Sequence, residues 1–420
     1  MIEISITVID SIMGTGKTSW AINHMNSHPE NSYIVIAPLL EECKRYQTDV
    51  KSVNLIAPKH NGKGKFKNFK ELICEGKSII TTHALMKQMD PETIELLRLK
   101  NYTLIIDEAL EVIEKYPIKK ADLNIIFRQK LISIDESGYL MWHDETYDGE
   151  KYREIKELCD LHTLMGYKDE DGTIAKILIW NFPVEFFNCF EESYIMTYLW
   201  NGSPQKAYFN FHNVSYNLGT LSNKQQIIPY DEDLAKQRQI QSGKKLLIYE
   251  GNLNEIGDPV GRKYPLTKTW YESCRKTDIG KEKLRQVRNN TRNYFIHILN
   301  SPAECNMYTT YKDYKGYIKG AGYTKGFVSC TCRGTNNYSH KTALAYLVNF
   351  NPAPEVELFM NHYKITFDTD MFALSTLLQW IWRSKVRNGF NCDTDEYNVN
   401  IYIPSKRMRD LLYKWIKGEI

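Results

Sequence analysis

The chain has 420 residues, which suits two or three domains with ample core, and its 42% hydrophobic and 25% charged content is ordinary for a globular protein. A net charge of +3 is close to neutral, so nucleic-acid binding would have to come from local basic patches. No apolar run approaches about 18 residues and the start lacks a basic-then-apolar leader, so a membrane span and export are not expected and a cytoplasmic, soluble protein is. The nine cysteines are scattered, and the closest pair, Cys330 and Cys332, has no second pair nearby. That pattern gives neither a zinc site nor a disulfide framework and fits reduced thiols.

The first element in chain order is the most informative. Ile4, Ile6 and Val8 alternate with polar residues as a strand does, and a helical pattern begins at Trp20-Ala21-Ile22. Between them lies Ser11-Ile12-Met13-Gly14-Thr15-Gly16-Lys17-Thr18-Ser19. Strand, glycine-rich loop, Gly-Lys-Thr and helix form the phosphate-loop arrangement, in which backbone N–H groups and the helix N-terminus close on a phosphate. Residues Met13 to Ser19 are the expected nucleotide contacts. Lys17 would reach the β- and γ-phosphates and Thr18 would ligate Mg²⁺. Ser11 stands where the usual pattern has glycine.

The helix is expected to run from Ser19 to about Ser27. Tyr33 to Ala37 then reads as a strand of a parallel sheet covered on both faces, ended by Pro38, with a helix starting at Leu39. Residues 59–70 hold five lysines, Lys63 and Lys65 among them, with Phe66 and Phe69. Two readings are open: a single-strand groove of charges and rings, or a solvated loop with its phenylalanines turned into the core. Ser78 to Leu85 is another short strand, ending in Thr81, Thr82 and His83.

Tyr102 to Ile106 delivers Asp107 and Glu108 to the end of an apolar strand. Adjacent carboxylates there suit a Walker B site, with Asp107 on the metal and Glu108 positioning the attacking water. Residues 116–176 break the rhythm with a hairpin around Ser137-Gly138 and an acidic stretch, and read as an insertion. Glu192 to Leu199 reads as the last strand of the first domain, and residues 213–240 as a polar connector. A second α/β unit begins at Lys245. A basic helical stretch lies between Lys276 and Arg292, and Gly326 to Ser329 reads as a strand opening into the polar loop Cys332-Arg333-Gly334-Thr335-Asn336. Steps of four place Gln379, Arg383 and Arg387 on one helical face, a set suited to phosphate. A strand over 399–404 and a basic amphipathic helix from Ser405 close the chain.

Taken together these motifs resemble superfamily 2 helicases, in particular the compact helicases of tailed bacteriophages, over most of the chain outside 116–176 and 205–245. Ser11 to Thr18 resembles motif I, Ala37-Pro38-Leu39 motif Ia, Thr81-Thr82-His83 motif Ic and Asp107-Glu108-Ala109-Leu110 motif II. Met196-Thr197-Tyr198 sits at motif III, Cys332 to Asn336 is similar to motif V, and Gln379 with Arg383 and Arg387 to motif VI. Leu110 stands where His or Asp is common, and Arg387 falls eight residues after Gln379 where seven is commoner.

The resemblance implies an α/β protein of two tandem RecA-like P-loop domains with largely parallel sheets and an inserted subdomain. The expected division is 1–205, with the insertion at about 116–176, a connector over 206–244, and 245–420. The implied activity is an ATP- and Mg²⁺-dependent helicase or translocase acting on DNA in phage replication or recombination. Pro38, Thr81, Thr82, His83, Lys63, Lys65, Arg333, Gly334, Thr335 and Asn336 would touch nucleic acid, favouring single-stranded or branched DNA. Arg383 or Arg387, with Gln379, would meet the γ-phosphate from the second domain. The alternative is an ATPase clamp, loader or origin-binding remodeller that separates no strands. A monomer working with replication proteins, in the host cytoplasm if phage-encoded, completes the expectation.

Overall fold

Sixteen strands appear in chain order in the computed structural model, which describes all residues except 1–4, 61, 63, 168–176, 262–263, 333–336, 390–391 and 393. The first four are β1 (Ser5–Asp10), β2 (Ser32–Ala37), β3 (Ile79–Thr82) and β4 (Tyr102–Asp107). β5 (Ile113–Tyr116), β6 (Ile132–Ile134), β7 (Leu140–Trp142), β8 (Leu164–Met165) and β9 (Leu178–Asn181) follow, then β10 (Glu192–Thr197), β11 (Asn217–Leu221) and β12 (Ile227–Pro229). β13 (Leu246–Ile248), β14 (Asn306–Thr309), β15 (Ala343–Tyr346) and β16 (Val399–Tyr402) complete the set. The larger sheet has the order β12-β11-β1-β10-β4-β2-β3, and a second sheet the order β13-β16-β15-β14. By internal contacts the chain forms two compact units. One holds Met1–Ile9, Thr18–Leu218 and Pro352–Asp368; the other holds Asp10–Lys17, Gly219–Asn351 and Thr369–Ile420.

In the first unit β2 pairs in parallel with both β3 and β4, and β10 with β4. Every residue of β4 is buried, Thr103 and Asp107 included, as suits a parallel strand inside a covered sheet. Helix α1 (Lys17–Ser27) follows the glycine-bearing turn after β1, and α2 (Leu40–Asp49) follows β2. Residues between β4 and β10 build a separate inserted subdomain. Its antiparallel strands β5-β9-β8 and hairpin β6-β7 enclose a small core of Leu123, Ile126, Ile132, Leu140, Ile155 and Leu164. The helix Pro354–His362 also belongs to this unit. Its Phe359 and Met360 are fully buried in the main core, and Tyr363 just beyond it donates to the Gly166 carbonyl at 2.7 Å.

His212 caps the helix Pro204–Phe211 and packs against Tyr208 and Phe211. Burial lowers its pKa to about 4 from the ordinary 6.5. The folded protein therefore resists a proton that the unfolded chain accepts near pH 6.5. This contribution is complete above about pH 6.5 and is lost as pH falls toward about 4. Thermal melts between pH 7 and 4 should show Tm falling in the wild type and falling less steeply in His212→Phe.

The second unit's sheet is entirely parallel where its pairs are described, β13 with β16, β16 with β15 and β15 with β14. Its core gathers Tyr271, Leu284, Val287, Tyr294, Phe295, Tyr308, Tyr323 and Tyr402, so much of the tyrosine content is structural. The basic stretch forms the helix Asp278–Asn293, with Leu284, Val287 and Thr291 inward.

Several local expectations change. Residues 213–240, read as a polar connector, carry regular structure: β11 and β12 form an antiparallel hairpin and a helix spans Glu232–Gly243. β11 escapes the hydrophobic pattern because its buried Thr220 is satisfied by a hydroxyl bond to Ser11. No strand runs over Gly326–Ser329; Phe327 makes one isolated bridge to Tyr308 after a short 3₁₀ turn at Thr324–Gly326. Gln379, Arg383 and Arg387 do not share a helical face. Helix α3 (Thr369–Ile381) ends before Arg383, where i,i+3 bonds from Arg383 N–H to Trp380 O and from Ser384 N–H to Ile381 O tighten the turn. Arg387 lies on a separate 3₁₀ turn, Lys385–Gly389.

Candidate nucleotide site

β1 buries Ile6, Val8 and Ile9 and delivers the loop at its C-terminal end. Ser11 is buried. Its hydroxyl lies 2.7 Å from the Thr220 hydroxyl and accepts the Leu221 N–H at 2.9 Å. Serine at this position thus anchors the loop to β11, a bond that glycine could not make. Thr15 closes the turn, its hydroxyl donating to the Ile12 carbonyl at 2.9 Å. Gly14 and Gly16 have φ of +92° and +91°, the conformation that lets the loop fold around an anion. Lys17 opens α1, and its ammonium donates to the Ser11 carbonyl and, at 3.2 Å, to the Ile12 carbonyl. Met13, Thr18 and Ser19 are half-buried and Gly14 is exposed.

Gln225, in the turn between β11 and β12, stands against this loop. A Cβ on Gly16 would lie 2.9 Å from its Nε2. Gly16→Ala therefore meets a flexible side chain that can move and a left-handed backbone that cannot, the latter costing about 1–2 kcal/mol for an L-residue. The expected result is a folded protein that has lost nucleotide-induced thermal stabilisation, read by melting with and without MgATP.

The carboxylates sit at the end of β4. Asp107 is buried, and its Oδ2 accepts the Thr18 hydroxyl at 3.3 Å and the Tyr46 hydroxyl at 3.0 Å. Burial, and then the Asp107 charge, hold the Tyr46 pKa well above its ordinary value, so Tyr46 is a firm donor. His83 Nε2 lies 3.0 Å from the Asp107 carbonyl oxygen; a carbonyl only accepts, so Nε2 carries the proton. Glu108 has φ +66°, left-handed for a residue with a side chain, and donates its N–H to the Met196 carbonyl at 3.0 Å. Met196 is in register with Asp107 on the neighbouring strand β10. A strained backbone at the second carboxylate is the kind of outlier that collects at functional positions. Leu110 lacks a polar side chain, but its N–H donates to Oε1 of the buried Gln205 at 2.8 Å.

Thr18 and Asp107 supply a hydroxyl and a carboxylate, hard oxygen donors of the kind Mg²⁺ takes while keeping most of its water, so the donor set fits the metal. The loop's two positive-φ glycines and its lysine fit a nucleotide phosphate.

The other expected contacts are dispersed. Pro38 is half-exposed, beside Leu39 and Leu40 at 39% and 59% exposure. Thr81 is buried and its carbonyl accepts the Cys43 thiol, whereas Thr82 and His83 are half-exposed. Lys65 is exposed at the start of the helix Lys65–Cys74. In that helix Phe69 is fully buried and Phe66 packs on the core and stacks on Phe69, so these rings serve packing rather than base stacking. Lys63, Arg333, Gly334, Thr335 and Asn336 lie outside the described residues. Gln379 is half-buried with its Nε2 3.5 Å from the Ser375 hydroxyl, Arg383 is buried and Arg387 half-buried. Sequence reasoning missed Tyr46, Gln205 and Gln225, none of which lies in a motif. It placed His83 but not its bond to the Asp107 backbone.

Residues 240–416 match the family described as the YonV C-terminal Rossmann-like domain, and residues 113–180 the YonV middle domain. The SPbeta prophage-derived protein YonV of Bacillus subtilis (strain 168) is 35% identical over 430 residues, covering 99% of each chain. A solved structure of apo XPD superposes with a TM-score of 0.51 at 10% identity, covering 99% of this chain and 95% of that one. The S. tokodaii Xpd4 structure gives 0.42, also at 10% identity, with 98% and 94% coverage. No helix among the described residues is long and apolar enough to cross a membrane. The mixed α/β architecture, with largely parallel sheets and an inserted subdomain, is similar in fold to the apo XPD structure, and the chain belongs to the YonV family.

Proposed function

We propose that the chain is an ATP-dependent nucleic-acid motor of superfamily 2, acting on DNA in the life cycle of a phage. The observation that carries the reading is the Thr18–Asp107 contact at 3.3 Å, with Glu108 in a left-handed backbone next to it. It joins the phosphate-loop hydroxyl to a strand-end carboxylate pair, the arrangement that phosphoryl transfer to water needs. The prophage-derived relative supports the phage setting.

In this reading the loop amides of Met13 to Ser19 and the Lys17 ammonium hold the triphosphate, and Thr18 and Asp107 hold Mg²⁺. Mg²⁺ held there by Thr18 and Asp107 would supply positive charge against the charge that develops on the phosphates. Glu108 orients the attacking water and accepts its proton. Arg383 or Arg387 supplies positive charge to the γ-phosphate, and Gln379 a neutral amide donor. Pro38, Thr82, His83 and Lys65 touch the polymer backbone, so binding should be salt-sensitive and weakly sequence-specific.

The test is ATP hydrolysis with Mg²⁺, alone and with single-stranded DNA, single-stranded RNA or a forked duplex, followed by strand displacement. Stimulation by DNA with displacement of a strand supports the motor. Stimulation without displacement transfers the reading to a clamp or remodeller, and hydrolysis indifferent to every polymer overturns it.

A further inference from the structure

We propose that Tyr46 is a positioning residue for the metal-binding carboxylate, and that through it helix α2 sets the Mg²⁺ site. The inference rests on the functional reading above and adds a residue that no motif contains. Tyr46 lies on the buried face of α2, is fully buried, and donates to Asp107 Oδ2 at 3.0 Å. That is the oxygen that also receives the Thr18 hydroxyl. A hydroxyl donating to a carboxylate makes a charge-assisted bond, strong and directional. Two donors on one oxygen fix the carboxylate's rotation about Cβ–Cγ and hence where its lone pairs point. A metal held by few protein ligands is sensitive to that direction, because Mg²⁺ demands near-octahedral geometry.

The backbone of the same aspartate is fixed from another side. His83 Nε2 donates to the Asp107 carbonyl, at the junction of β3 and the short helix His83–Met86. Cys43, one turn before Tyr46 on α2, donates its thiol to the Thr81 carbonyl at 3.4 Å, joining α2 to the end of β3. Asp107 is therefore gripped by two elements, α2 through its side chain and the end of β3 through its carbonyl. Both open onto surface: α2 begins at Leu40, beside Pro38 and the exposed Leu39, and β3 ends at the half-exposed Thr82. These are the segments assigned above to the polymer. Polymer contact that shifts α2 by a fraction of an ångström would reach Asp107 through a buried, rigid phenol, without a loop in between.

The experiment uses the full chain. Tyr46→Phe removes one oxygen from a packed side chain and keeps its volume, and melting curves report whether the fold is retained. ADP affinity is measured by calorimetry in Mg²⁺ and again in EDTA, and ATP hydrolysis is titrated with Mg²⁺ with and without single-stranded DNA. The expected result is ADP affinity reduced about tenfold in Mg²⁺, the scale of one lost hydrogen bond to a charge, with affinity in EDTA unchanged. The Mg²⁺ concentration for half-maximal hydrolysis should rise by a similar factor, and stimulation by DNA should fall. His83→Leu, which releases the carbonyl rather than the carboxylate, should shift the Mg²⁺ requirement the same way and serves if Tyr46→Phe does not fold. Equal losses in Mg²⁺ and EDTA, or a wild-type Mg²⁺ dependence, overturn the positioning role. Unchanged DNA stimulation alongside a shifted Mg²⁺ requirement overturns the link to α2. A wild-type protein that binds ADP but hydrolyses no ATP overturns the functional reading while the calorimetry still decides the role of Tyr46. A wild type that binds no nucleotide overturns both.

Discussion

Lys17→Ala is expected to lower ATP hydrolysis about 10²–10³-fold, the usual effect of removing one preorganised charge from a transition-state contact. Lys17 is the first residue of α1, and its ammonium reaches back to the Ser11 and Ile12 carbonyls. It thus already points along the loop, where a phosphate would sit, and rearranges little on binding. Alanine removes that charge and also a donor to two loop carbonyls, so ground-state nucleotide binding should weaken together with the rate. The check is a steady-state assay paired with nucleotide-induced thermal shift, and both should fall. Retained hydrolysis would remove the phosphate-loop assignment. Arginine should not rescue, because its planar fork is larger than the ammonium and cannot sit between the same carbonyls.

Glu108→Gln is expected to separate binding from chemistry. Glutamine keeps the side-chain length and the backbone preference of glutamate, so the left-handed φ of +66° and the N–H bond to Met196 O should persist. What is lost is the ability to take a proton from water, which general-base catalysis values at about 10²–10⁴-fold. Hydrolysis should fall by that factor while MgATP still stabilises the fold and still promotes DNA binding. A trapped, ATP-bound state would be visible as slower dissociation from single-stranded DNA. If the variant hydrolyses ATP at the wild-type rate, Glu108 is not the base and its unusual backbone serves only the β4–β10 strand ends.

These two residues were legible because their chemistry is local in sequence. Lys17 needs only a glycine loop before it and a helix after it, and Asp107-Glu108 need only an apolar strand behind them. The apolar run of β2 likewise pointed to a parallel sheet covered on both faces. Where polarity was buried and satisfied by a distant partner, the pattern misled. Thr220 is buried on a hydroxyl bond to Ser11, some two hundred residues away, so the β11–β12 hairpin read as a connector.

Short-range periodicity also failed where a helix stopped early. Steps of four from Gln379 continue past Ile381 on paper, but the i,i+3 bonds after Trp380 turn the chain, and Arg383 and Arg387 leave the helix. Tyr46, Gln205 and Gln225 could not be found from neighbours at all. Each acts on a residue of a different segment: Asp107, the Leu110 amide and the Gly16 face.

The sequence by itself determined the glycine-bearing turn between β1 and α1, the adjacent carboxylates at the end of β4 and the α/β class, because each is a rule about adjacent residues and their period. Only the tertiary structure decided that Pro352–Asp368 joins the first unit, that the rings of 59–70 fill the core, and that Tyr46 and His83 grip Asp107. The physical reason is that burial and hydrogen-bond satisfaction are settled between segments far apart in the chain, where no spacing rule reaches.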